Sequence, residues 1–95
     1  MVTFAFREYG ENLGTRQLGA VAREKLLPLV RQNERVVLDF TGVNVVSNSF
    51  ADECIAKMLL EMPLEELKRR TTFRGLNPIA SACVLTAIKR RHMAA

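Results

Sequence analysis

The sequence predicts an α/β fold in which a central mixed or mostly parallel sheet of about four strands is covered by helices. Three observations lead there. A compact apolar run, Val36-Val37-Leu38, is closed by Asp39-Phe40 and reads as a strand buried on both faces. Two longer stretches, around Leu18 to Val30 and around Phe50 to Met62, carry apolar residues three to four apart, which is helical spacing. Strand-like and helix-like segments alternate along the whole chain, and such alternation favours parallel pairing with crossover helices.

The first strand is Val2-Thr3-Phe4-Ala5-Phe6-Arg7, where Val2, Phe4 and Phe6 alternate onto one face, as in a half-buried edge strand. Tyr9 to Gly14 reads as a turn. Thr15 caps the first helix, whose apolar positions are Leu18, Val21, Ala22, Leu26, Leu29 and Val30. Pro28 removes an amide donor and disfavours helix before it, so this helix either kinks there or ends just short of it. After the buried strand, Gly42 breaks the chain and Val43 to Val46 leads into Ser47-Asn48-Ser49. Ser49 can cap the second helix, with Asp52 as a short version of the reciprocal capping-box carboxylate, or Asn48 can cap instead.

Phe50, Cys54, Ile55, Met58, Leu59 and Met62 form the buried stripe of that second helix. Pro63 ends or restarts it, and Leu64 to Arg70 is either a short helix or an irregular connection. Thr71-Thr72-Phe73-Arg74 reads as a further strand of the central kind. Asn77 then caps a final helix with Pro78 at its first position, and Ile79, Cys83, Val84, Ala87 and Ile88 give its apolar side. Met93 to Ala95 is expected to fray.

The chain of 95 residues fits one domain, 1–95. A chain this small has a thin stability margin, and a homo-oligomer would help it. No apolar run is long enough to span a membrane, and the first fifteen residues lack the apolar core of a secretory signal. Cys54 and Cys83 fit neither a metal nor a redox spacing, so they read as free thiols in a reducing, cytoplasmic setting. The net charge is +4, and its basic residues gather late, in Lys68-Arg69-Arg70 with Arg74 and in Lys89-Arg90-Arg91-His92. With no aromatic residue interleaved, these clusters read as a solvated face near helix ends rather than a nucleic-acid surface.

No catalytic constellation emerges. Ser47 and Ser49 are nucleophile candidates, but the one histidine, His92, is distant in sequence and no orienting group is indicated. Gly10, Gly14 and Gly19 are too loosely spaced for a phosphate cradle. Asp39, Asp52 and Glu53 are too few for a recognised oxygen-ligand loop. The expectation is a protein that is not an enzyme and needs no cofactor or metal.

The stretch Val36 to Val43 followed by Val45 to Glu53 resembles the central portion of the STAS-like family DUF4325. Gly14-Thr15-Arg16 resembles that family's opening and Phe73 to Asn77 its close, so the likeness runs from about Phe4 to Arg91. The family is similar in turn to the STAS fold of anti-sigma factor antagonists, also found at the C-termini of anion transporters. Those domains carry an Asp-Ser-Ser-Gly turn whose first serine is phosphorylated by a kinase-like anti-sigma partner. Here Ser47 stands at the aspartate position, Asn48 at the phosphorylated serine, Ser49 at the next serine and Phe50 at the glycine.

The resemblance implies a non-enzymatic protein-interaction module that works with a protein partner of the histidine-kinase-like, GHKL-type ATPase class or an anti-sigma-like regulator. Its contact residues would be Ser47, Asn48, Ser49, Asp52 and Glu53, supported by Arg16, and Ser49 would be the candidate for phosphorylation. A phosphate there would stand against the charges of Asp52 and Glu53. Arg16 pairs with Asp39 or Asp52, or is a solvated first-turn residue. The alternatives are nucleic-acid binding through the basic clusters, a small serine-dependent enzyme using His92, and a scaffolding homo-oligomer.

Overall fold

Short-range capping and close helix packing set up this fold, seen in a computed structural model that describes residues 1–94. Five strands form two parallel ladders rather than one sheet of about four. In the larger ladder, β3 (Val36–Asp39) lies between β1 (Val2–Ala5) and β5 (Thr71–Arg74). Val36 stands opposite both Val2 and Thr71, and Asp39 opposite both Ala5 and Arg74. The smaller ladder pairs β2 (Asn12–Leu13) with β4 (Val45–Val46). These two strands fall within segments that read as a turn and a lead-in. Two residues of a ladder leave almost no periodic signal, so only the pairing reveals them.

Burial on both faces of β3 is met, since Val36, Val37 and Leu38 are all buried. β1 is an edge, as its alternation implies, but it stops at Ala5 and Phe6 enters a 3-10 turn through Tyr9. Phe6 is still buried, stacked on Phe40 at 4.1 Å between ring centroids and edge-on to Phe50 at 6.1 Å. β5 corrects the expectation of a central strand: it pairs with β3 alone and ends the ladder.

Helix α1 (Arg16–Gln32) begins where Thr15 Oγ1 accepts from the Leu18 amide at 3.1 Å. It neither ends at Pro28 nor before it. Pro28 and Glu24, whose carbonyl loses a donor, are both exposed, so water can take the freed acceptor while Leu26 and Val30 hold the turn against the core. Gly19, Ala22, Leu26 and Val30 form the buried stripe, and Val21 is exposed instead.

Helix α2 (Asn48–Cys54) is shorter than its apolar pattern suggests. It gives way to a 3-10 stretch, Ala56–Leu60, in which Ala56 and Met58 are buried. Helix α3 (Leu64–Arg70) settles the uncertain connection as helical, with Leu67 buried. Helix α4 (Pro78–Ala94) starts where Asn77 Oδ1 accepts from the Ala80 amide at 2.8 Å. Its core side is Ala80, Val84 and Ala87, while Ile79 points out. The helix continues through Met93 and Ala94 rather than fraying, and Ala95 lies outside the described residues. Cys54 and Cys83 are both free thiols, and burial pushes the Cys54 thiol up to about 12.

The α1–α2 interface is the most extensive between helices, and Gly19 makes it possible. A Cβ at Gly19 would stand 3.0 Å from the Glu53 Cβ and 3.1 Å from the Phe50 carbonyl oxygen. A larger side chain must therefore push the two helices apart. Gly19→Leu is expected to lower unfolding stability by about 2 kcal/mol, the scale of overpacking. Urea denaturation measures this, and an unchanged midpoint contradicts the close approach.

Candidate functional site

The turn into α2 is held by backbone and side-chain bonds that leave its first two helical residues outside. The Ser47 amide donates to the Leu13 carbonyl at 2.9 Å, which ties the turn to the smaller ladder. Ser47 Oγ then accepts from the Phe50 amide at 3.0 Å. Ser47 is thus the cap, in place of Ser49 or Asn48, and Asp52 takes no part in a capping box. The β conformation that a cap requires falls on the residue just after β4, and this pairing fixes the cap two residues before Ser49 and one before Asn48. Phe50 and Ala51 are buried below, while Asn48 and Ser49 are exposed and Ser47 is half-buried.

Asp52 and Glu53 face the other helices. Arg16 Nη1, on the first turn of α1, donates to Asp52 Oδ2 at 2.9 Å and to Glu53 Oε1 at 3.0 Å. Arg91, on the last turns of α4, clasps Asp52 with Nε at 2.6 Å from Oδ1 and Nη2 at 2.8 Å from Oδ2. Glu53 is buried, and it also accepts from Arg23 Nη1 at 2.7 Å and from Lys57 Nζ at 2.9 Å. Arg23 reaches the Glu53 backbone carbonyl as well. Of the openings for Arg16, the pairing with Asp52 is the one found. Asp39 instead accepts from Arg74 at 2.9 Å and from the Thr41 amide at 3.0 Å, across the ends of β3 and β5.

These contacts fix the charge states. The clasp of Arg91, joined by Arg16, holds the Asp52 carboxyl well below the usual carboxylate range, against the opposing effect of its partial burial. Burial alone would raise the Glu53 carboxyl, but hydrogen bonds from Lys57, Arg23 and Arg16 outweigh it and bring it down to about 2. Both side chains are ionised at neutral pH. Both are also spent on holding helices, so neither is a free acid or base.

A depression of about 260 Å³ opens beside this turn, lined by Arg16, Asn48, Ser49, Asp52, Ala87 and Arg90. Four of the six expected site residues share it. Ser47 and Glu53 lie beneath, as cap and as anchor. Sequence reasoning missed Arg23, Lys57, Arg90 and Arg91 at this place. Lys57 stands four residues after Glu53, and Arg23 seven after Arg16 on the same helical side, so both were legible by spacing. Arg91 gave no such signal, because its partner is 39 residues away. The expected solvated basic face is likewise corrected in part: Arg70, Arg74 and Arg91 are paired with Glu66, Asp39 and Asp52.

His92 lines a different groove, with Leu59, Leu60, Pro63 and Leu64 among its neighbours. Among the described residues, no three His, Cys, Asp or Glu side chains are grouped to hold a metal ion, and no helix is long and apolar enough to cross a membrane.

Parallel strands, interlocked helices and a polar entrance to α2 define a small α/β domain of the kind the sequence likeness implies. A family model described as a STAS-like domain of unknown function, DUF4325, matches residues 19–79, and the chain belongs to that family. The match holds Ser47 to Glu53 but leaves out Arg16, Arg90 and Arg91, and is narrower than the likeness read from Phe4 to Arg91. No match to the chain is found among curated proteins or solved structures.

The ionic anchor makes a pH prediction. Glu53 has a depressed folded value, so its contribution is complete above the unfolded value of about 4.5 and is lost as the pH falls toward about 2. Glu53→Gln is expected to cost about 3 kcal/mol at neutral pH, the low end for breaking a buried pair. The gap between wild type and variant then closes on acidification across that window. A gap that stays constant with pH, read from urea unfolding, contradicts the pairing.

Proposed function

We propose that this chain is a non-catalytic regulatory module that binds a protein partner through the entrance to α2. The observation that carries the reading is the pair Asn48 and Ser49: two exposed polar residues on a turn held rigid from below. A preorganised turn loses little conformational freedom on binding, so polar contacts made there are not offset by ordering costs. Membership of a STAS-like family supports a partner of the histidine-kinase-like ATPase or anti-sigma-like class. Asn48, Ser49, Arg16 and Arg90 form the contact surface. Ser47 and Glu53 act from beneath, and Asp52 does both.

Ser49 is the place where this contact would be regulated. Its hydroxyl is exposed, with Arg16 and Arg90 lining the same depression. The repulsion expected from Asp52 and Glu53 is muted, because four cations already neutralise those two carboxylates. A phosphate on Ser49 would meet net positive surroundings and compete with Asp52 for Arg16.

Two geometric facts favour this reading over the alternatives. Ser49 and His92 line separate depressions, so the histidine is not grouped with the serine that a serine-dependent reaction would use. Three of the seven late basic side chains are turned to internal carboxylates, which thins any phosphate-binding stripe.

The test compares capture of a partner from a bacterial lysate by wild type, Asn48→Arg and Ser49→Glu, with Glu24→Lys on the exposed side of α1 as control. Both site variants are expected to lose the partner at least about tenfold, as for residues central to a contact, while keeping their unfolding midpoints. Equal retention by all four proteins contradicts the proposed surface.

A further inference from the structure

We propose that the outer edge of β5, with the apolar groove beside it, accepts an extended acidic segment of a partner protein as an added parallel or antiparallel strand. This surface is separate from the entrance to α2. That site uses Ala87 and Arg90 of α4, whereas the groove uses Leu85 and Ile88.

Two independent features of the edge lead there. The first is backbone. In a parallel ladder alternate residues aim both their amide and their carbonyl at the same neighbour. The Arg74 carbonyl accepts from the Phe40 amide at 2.7 Å, so Arg74 faces β3 and Phe73 faces away. The outward amide and carbonyl of Phe73 meet no hydrogen-bond partner among the described residues. Proteins commonly blunt such an edge with a bulge or a proline, and β5 carries neither: its sequence is Thr-Thr-Phe-Arg and its register against β3 is regular.

The second feature is the groove. It holds about 250 Å³ between α3 and α4, and Leu64, Leu67, Phe73, Leu85 and Ile88 line it together with the edge of β5. Leu85 is 58% exposed, a large apolar side chain left at the rim of an otherwise packed helix. An added strand would satisfy the Phe73 backbone and place every second side chain into this groove, which is how edge strands recognise extended peptides.

Charge selects the occupant. Lys68 is the one charged residue lining the groove, and it makes no ion pair among the described residues. Lys89, which follows Ile88 on α4, is also unpaired among them. Symmetric pairing of two β5 edges is antiparallel, so the Lys68 end of each copy would approach the Arg74 end of the other, where the carboxylate at hand, Asp39, is already paired with Arg74. A segment with apolar residues at alternate positions and acidic residues at one end complements both the groove and its rim.

The probe is a synthetic hexapeptide of alternating valine and threonine ending in two aspartates, titrated into ¹⁵N-labelled chain. Saturable shifts are expected at Lys68, Thr72, Phe73, Leu85 and Ile88, with Asn48 and Ser49 unmoved. Two further peptides are N-methylated on alternate amides in opposite phase. One is expected to bind and the other not, because a single phase faces β5. Lys68→Glu is expected to weaken the acidic peptide about fivefold while sparing a lysine-ended version. Absence of shifts in the groove, or equal binding by both N-methylated peptides, overturns the proposal. So does concentration-dependent dimerisation in the ultracentrifuge that Leu85→Asp abolishes, since the edge would then serve a second copy.

Discussion

Two adjacent carboxylates, Asp52 and Glu53, tie together every helix that surrounds the candidate site. Arg16 and Arg23 reach them from α1, Lys57 from the 3-10 stretch after α2, and Arg91 from the end of α4. The arrangement follows from elementary electrostatics. A buried glutamate is tolerated only when its charge is matched and its oxygens are hydrogen-bonded, and Glu53 receives donors on both oxygens. The glycine at position 19 is the steric half of the same constraint, since it lets the α1 backbone come close enough for arginines on either side of it to reach α2. Apolar packing beneath, from Leu26, Phe50, Cys54 and Ile55, supplies bulk stabilisation. The ionic contacts and the close approach at Gly19 join particular turns of α1 to particular turns of α2.

This division of labour shapes the surface. Side chains that hold the turn point inward: the Ser47 hydroxyl to the Phe50 amide, Asp52 to two arginines, Glu53 to three cations. Among the described residues the Asn48 and Ser49 side chains make no hydrogen bond, and the turn that carries them is tied at Ser47 to Leu13 and Phe50. A polar turn that is both exposed and rigid suits recognition by another macromolecule. The free edge of β5 is a surface of a different sort, whose attraction is unpaired backbone and apolar side chains instead of fixed polar groups.

How much of this was legible in the sequence depends on how far apart the interacting residues lie. The Thr15 and Asn77 caps, the buried run of β3, the stripe of α1 and the burial of Phe50, Cys54 and Met58 are local signals, and the structure carries them. β2 and β4 were not legible, because each is two residues long and exists only through the other. The edge position of β5 depends on strand order, which periodicity does not encode. At the site, sequence reasoning placed Arg16, Asn48, Ser49 and Asp52 near one another, and they share a depression. The family resemblance put Glu53 and Ser47 among the contact residues, whereas one is buried under three cations and the other is occupied as the cap. Arg91 was read as part of a solvated basic end, and only the return of α4 across α2 brings it to Asp52.

Native-state hydrogen exchange across α2 addresses the ionic register most directly, comparing wild type with an Arg91→Gln, Arg23→Gln double variant. If the carboxylate pair holds the helices in place, the amides of Phe50 through Ile55 lose protection at neutral pH while those of β3 keep it. Equal protection of α2 in both proteins would show that apolar packing alone sets its position, and the rigid turn would lose its physical basis.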